Sequence, residues 1–194
     1  MVSDVDFGSE RYRFAGGARF TVQAFACISS LKFYSARLEY VPAATADPMP
    51  CTRDHTCPRC LSGESAEEAP EEAEEVWETC EGQFVTLVCC NIAQISFDIR
   101  CAPYAHLSDG CVDLLIVRQC TRTEMFDLFS QMERGEYVNS SVFNGKKFLS
   151  YIKAKKFRLT PETQESLLGF DGERAPSQTP VTALNRRGLA TLLG

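Results

Sequence analysis

The chain has 194 residues, 44% of them hydrophobic, with 13 Phe and 6 Tyr, enough for one core-bearing domain of ordinary size. Its net charge of −6 is concentrated: residues 43–80 carry −8 and the remainder +2, which leaves no basic patch for nucleic acid but suits phosphate ligands or an anionic membrane surface. Apolar stretches such as Phe84–Cys90 fall short of the roughly 20 residues that cross a bilayer, the first six residues lack a basic signal-peptide region, and the ten cysteines read as reduced thiols of a cytosolic protein rather than a disulfide framework.

Taken in chain order, Val2–Asp6 alternates like the end of a strand. Phe20, Ala24, Cys27, Ile28 and Leu31 recur at helical spacing and predict a helix over 20–31. Residues 37–41 alternate as a strand that Pro42 stops. From 43 to 80 the pattern dissolves into Pro, Ala, Ser and eight Glu. Such a segment buries too little apolar surface to offset its ordering entropy, so it is expected to be a disordered acidic insertion between two strands.

Strand signals return over 83–91 and 112–119. Thr121 to Glu124 has the spacing of a capping box, in which hydroxyl and carboxylate satisfy each other's orphan amides. Met125, Phe126, Phe129 and Met132 follow at helical spacing, and Gly135 is a suitable stop. A long strand-like run covers 147–159 and ends at Pro161. A further strand is predicted at 164–170, then a turn at Asp171-Gly172, then an apolar run, Leu189–Leu193. The expected fold is mainly β with two or three helices, a β-sandwich over 1–42 and 81–194 interrupted by the 43–80 insertion.

Cys51, Cys57 and Cys60 are the one cluster with metal-ligand spacing. Cys57-x2-Cys60 is the knuckle that lets two thiolates hold one Zn²⁺, Cys51 adds a third, and His55 or Cys80 is the expected fourth. The alternative is a set of reduced thiols in a loop. His106 is expected at the surface rather than as a ligand.

Three blocks together resemble one family. VSDVDFGSERYRFAGGARF, Val2 to Phe20, is similar to a segment of sphingosine kinases. APYAHLSDGCVDL, Ala102 to Leu114, resembles a strand-turn-strand shared by sphingosine, ceramide and diacylglycerol kinases. Phe170-Asp171-Gly172-Glu173 looks like the DGE motif near the end of these enzymes. Weaker similarity covers 128–135 and 150–161, and Gly188–Leu192 resembles plant long-chain-base kinases. The cysteine cluster is similar to the CxxxCxxC element of ceramide kinases, with a longer first spacing.

The resemblance implies the β-sandwich C-terminal lobe of a lipid kinase. Asp6 would contact the head group of a sphingoid-base lipid. Arg13 and Arg19 would contact ATP phosphates, as would the turn Asp171, Gly172 and Glu173, with Glu173 in a supporting catalytic role beside Mg²⁺. Asp109 would hold a Mg²⁺ with the carbonyls of His106 and Cys111. Against these stand blander readings: Asp4 and Asp6 facing solvent, Arg13 paired with Glu10, and Asp171-Gly172 as a plain hairpin turn. Arg11 matches no family role and reads as surface. The family often has Glu where Gly8 stands. The catalytic aspartate of such kinases sits in a GGDG motif that these 194 residues lack, so the chain reads as a half that is inactive alone. The resemblance also implies a cytoplasmic enzyme peripherally bound to membrane, with a homodimer possible through the other lobe. The competing readings are a ceramide kinase half and a non-catalytic lipid-binding or zinc-stabilised interaction module.

Overall fold

A computed structural model describes residues 1–43, 49–52, 55–61, 75–96, 99–164, 166–176 and 178–185. Within these, the helices are α1 (Val2–Ser9), α2 (Ala18–Ser29), α3 (Pro58–Leu61) and α4 (Arg122–Met132), and the strands are β1 (Tyr34–Pro42), β2 (Glu78–Cys90), β3 (Val112–Arg118), β4 (Leu149–Pro161), β5 (Leu168–Phe170), β6 (Glu173–Ala175) and β7 (Val181–Leu184). The fold is mainly β, as expected. Residues 62–74, which hold most of the Glu run, and the Leu189–Leu193 segment lie outside the described residues, whereas Glu78 opens β2.

Two strands of 13 residues organise the molecule. The first half of β2 pairs with β1 and its second half with β3; the handover falls at Phe84, opposite both Tyr34 and Arg118. β4 does the reverse, passing from β3 to β1 at Ala154, opposite both Val112 and Pro42. All these pairings are antiparallel, and β7 extends the β1 side along β4. Strands that change sheets in this way fold one ladder into two facing layers.

The chain's period-two patterning fills the space between the layers. Leu38, Phe84, Leu114, Ile116, Ala154 and Phe157 meet there. The alternate residues of β3, Leu115 and Val117, face the other way and are covered by Ile28 of α2 and by Met125 and Leu128 of α4. β3 is therefore buried on both faces, and each fully buried Leu or Ile there contributes about 1.5–3 kcal/mol.

Thr121 caps α4 as its sequence predicts: its hydroxyl accepts from the Glu124 amide, and the Glu124 carboxylate accepts from the Thr121 amide at 2.9 Å. Gly135 ends the segment at φ +69°. On α2, Ala24 and Ile28 are buried as expected, but Phe20 is exposed.

The chain start differs from expectation. Val2–Asp6 lies in α1, not a strand. Five residues cannot separate a period of two from one of 3.6, and the tertiary contacts decide. Ser3 and Phe7, one helical turn apart, both face Gly169 in the β5–β6 hairpin; in a strand, Asp6 would point away from them.

Candidate functional site

α1, a 3₁₀ segment (Glu10–Ala15), α2 and the β5–β6 hairpin frame a cleft of about 380 Å³. Three side-chain cations line it, Arg11, Lys32 and Arg174, with Asp4 as the acid, 2.9 Å from the Met1 ammonium. Asp4 is already committed, accepting a 2.8 Å hydrogen bond from the Tyr34 hydroxyl. Arg11 donates to Gln23 Oε1 at 2.9 Å, and the Arg174 guanidinium lies 5.2 Å from the centre of the Phe7 ring. The cleft is thus net cationic and suited to an anion. A smaller, largely apolar cleft adjoins it, sharing Met1, Val85 and Leu167 and lined by Tyr34, Phe84 and Leu159.

Asp6 and the acidic turn are brought together although 165 positions separate Asp6 from Asp171. A methyl group added at Gly172 would stand 4.0 Å from Asp6 Oδ2. Asp171 and Gly172 both have positive φ, +49° and +82°, the backbone of a tight primed hairpin turn. Asp171 and Glu173 are exposed.

Arg13 and Arg19 line neither cleft. Both turn to Glu10, at 2.5 Å and 3.5 Å. Arg11, expected at the surface without a role, is the arginine of this segment that faces the cleft. The departure at Gly8 also has a local cause, since a Cβ there would meet Gln23 Nε2 at 2.3 Å. The amide that holds Arg11 occupies the space a larger residue would need.

A second cluster sits at the opposite end of β3. Cys51, Cys57 and Cys60 converge, and their fourth neighbour is His106, not His55 or Cys80. The four ligand atoms lie within 4.8 Å of one another. His106 is a correction to the sequence reading: it is only 2% exposed. Burial pushes its pKa below the ordinary histidine value, favouring the neutral ring. Cys80 lies instead between the sheets, 2.8 Å from an Arg118 guanidinium nitrogen. His55 Nδ1 approaches Cys51 Sγ at 3.3 Å but stands outside the group of four.

Asp109 does not present a bare carboxylate. Its Oδ1 accepts from the Cys111 amide at 3.0 Å, and its Oδ2 takes the Lys153 ammonium at 2.6 Å. Lys153 also reaches Asp113, 2.9 Å away. Burial raises the Asp113 carboxyl above its ordinary value despite that partner. For Lys153, burial alone would lower the pKa, but Asp113 and Asp109 outweigh it and raise it. Asp109 Oδ2 is thus already engaged by the Lys153 ammonium.

Residues 68–192 match the family described as the YegS C-terminal NAD kinase beta sandwich-like domain. The chain belongs to that family. Among relatives, "Sphingosine kinase 2" of Arabidopsis thaliana is 28% identical over 186 residues, covering 89% of this chain and 37% of the relative. "Sphingosine kinase 1" of Mus musculus is 28% identical over 184 residues, covering 89% and 44%. "Sphingosine kinase 2" of Homo sapiens is 36% identical over 118 residues, covering 60% and 17%. The resemblance to the C-terminal half of sphingosine kinases is therefore borne out, and the chain spans less than half the length of these relatives. A solved diacylglycerol kinase from Bacillus anthracis str. Sterne is also similar, with a TM-score of 0.41 and 11% identity over 84% of this chain and 41% of that one. Among the described residues, no helix is long and apolar enough to cross a membrane.

Four functional candidates escaped sequence reasoning. Arg11, Lys32 and Arg174 are scattered cations with no local pattern. His106 lies 46 residues beyond Cys60, so no spacing rule joins it to the thiols. Its only signal was membership of the second resembling block.

Proposed function

We propose that this chain is the lipid-contacting half, and part of the nucleotide-contacting half, of a sphingoid-base kinase that transfers the γ-phosphate of ATP to a primary lipid hydroxyl. The observation that carries this reading is the joined pair of clefts, one cationic and one apolar, with Asp6 at the 171–173 turn beside them. A sphingoid base is itself two-part, with an amine and hydroxyls on an alkyl chain. Asp6 lines neither cleft, but its carboxylate stands beside the 171–173 turn next to them, and a carboxylate close to an apolar cleft would suit that ammonium group. The cations suit phosphate oxygens, and catalysis would rest on positioning and charge neutralisation.

Asp171 and Glu173 are exposed and would help order Mg²⁺ and phosphates, with Glu173 supporting the chemistry. Arg13 and Arg19 remain candidates for the nucleotide. Exposed pairs like theirs with Glu10 are worth at most about 1 kcal/mol, so a phosphate could redirect them. The catalytic aspartate of such kinases sits in a GGDG motif that these 194 residues lack. A kinase of this kind would act in the cytoplasm against a membrane surface, where its substrate resides.

The test has two parts. The purified chain with ATP, Mg²⁺ and sphingosine should yield no phosphorylated lipid, and measurable turnover would overturn the division of labour. The same chain should bind sphingosine, and Asp6→Asn should weaken that binding at least about tenfold, the scale of a charge-assisted hydrogen bond. Unchanged affinity would remove Asp6 from the site.

A further inference from the structure

We propose that Cys51, Cys57, Cys60 and His106 form a structural Zn²⁺ site that fastens residues 49–52 and 55–61 to the loop leading into β3. This site stands apart from the kinase reading and does not depend on it.

Four of the six ligand–ligand distances are close to those a tetrahedral ion sets, and all six lie within 4.8 Å. Zn–S bonds of about 2.3 Å and Zn–N bonds of about 2.0–2.1 Å set S···S edges of about 3.8 Å and S···N edges of about 3.6 Å. Cys51 Sγ lies 3.9 Å from Cys57 Sγ and 3.6 Å from Cys60 Sγ. His106 Nδ1 lies 3.2 Å from Cys57 Sγ and 3.5 Å from Cys60 Sγ. Four protein ligands leave no open position, which marks a structural rather than a catalytic zinc. Three thiolates and one imidazole favour Zn²⁺ over the harder Mg²⁺ or Ca²⁺.

The outer partners are also in place. His106 Nε2 lies 2.9 Å from the Met49 carbonyl oxygen and donates to it. That bond leaves the Nδ1 lone pair facing the thiols, the arrangement that orients a metal-bound histidine. Cys60 and Leu61 donate their amides to the Cys57 carbonyl at 2.9 and 3.0 Å, forming the knuckle turn. The segment is tied to the same loop by backbone and side chain. The Cys51 amide donates to the Pro103 carbonyl at 2.8 Å, the Arg100 guanidinium donates to the Cys51 carbonyl, and Ser108 donates to the Arg59 carbonyl at 2.9 Å.

Cys51, Cys57 and His106 are 1%, 2% and 2% exposed, so three of the four ligands are shielded from solvent, and Cys60 is half-buried. Binding releases a proton from each thiol to solvent and involves no electron transfer.

The test titrates the full 194-residue chain, purified under reducing conditions and stripped of metal, with Zn²⁺ and with Co²⁺ as a spectroscopic stand-in. One Zn²⁺ per chain is expected, with cobalt bands of a tetrahedral site and sulfur-to-metal charge transfer. His106→Ala should weaken binding by more than about 100-fold, beyond the about 10–100-fold typical of losing an outer partner, and should change the cobalt spectrum. His55→Ala and Cys80→Ser should leave both unchanged. A wild-type chain that binds no zinc stoichiometrically overturns the proposal even if the ligand variants do not fold. So does a His55→Ala chain that loses the cobalt bands while His106→Ala keeps them.

Discussion

Lys153 and Asp113 stand directly opposite each other on β4 and β3, with Nζ and Oδ2 2.9 Å apart. The Asp113 side chain is fully buried, and those of Asp109 and Lys153 are only 8% and 12% exposed. The ammonium therefore serves two carboxylates that have lost nearly all their water.

Removing that ammonium strands a buried charge. Lys153→Met is expected to destabilise the chain by about 3–5 kcal/mol, the scale for breaking one partner of a buried pair. The double variant Lys153→Met/Asp113→Leu should recover part of this, because it removes the orphaned charge as well. Urea unfolding of both variants checks it, and equal stabilities would show that the pair carries little.

The same contact sets a pH dependence. The Lys153 pKa is raised from the ordinary 10.5, so its stabilising contribution is complete below 10.5 and is lost as pH climbs through the folded value. The Asp113 pKa is raised from 3.8, so the folded chain holds that proton more tightly, and stability also declines as pH rises from 3.8 through the folded value. The difference in unfolding free energy between wild type and Lys153→Met should shrink as pH is taken well above 10.5. A constant difference across that range would contradict the assignment.

Gly135 is held by space as well as by backbone. At φ +69° an alanine is strained by about 1–2 kcal/mol, and its Cβ would meet Pro103 Cβ at 3.0 Å and Arg100 Cδ at 3.1 Å. Arg100 can give way, but the proline cannot. Gly135→Ala should therefore cost more than the backbone term alone, read as a lowered thermal midpoint. A shift no larger than that of an exposed helical Gly→Ala change would show that the loop yields.

Arg11 tests which arginine of the first block serves the cleft. Arg11→Ala should weaken ATP binding to the chain about tenfold or more, the range of a charged hydrogen bond. Arg13, whose side chain is 73% exposed beside Glu10, should matter less because its field is screened by solvent. Calorimetric titration at fixed ionic strength compares them, and a larger loss from Arg13→Ala would return the nucleotide site to the outer face of the 3₁₀ segment.

Much of this molecule was legible in its sequence because the signals are local. The cap at Thr121 and Glu124, the stop at Gly135, the core strand at 112–118 and the Asp171-Gly172 turn each depend on residues within a few positions of one another. So does the Cys57-Cys60 knuckle. Ordered blocks from Asp6 to Glu173 likewise pointed to the family that residues 68–192 match.

Tertiary structure alone decided the rest. Val2–Asp6 becomes helical because Ser3, Asp6 and Phe7 must face one hairpin more than 160 residues away. β2 and β4 exchange partners at Phe84 and Ala154, a feature of pairing that no strand encodes by itself. His106 joins thiols 46 to 55 positions earlier, and Arg11 meets Lys32 and Arg174 across one cleft. Chain sequence sets periodicity, capping and turn chemistry, which act over a few bonds. Which distant side chains share a dry space follows from closing the sheets, because only packing fixes where each strand face points.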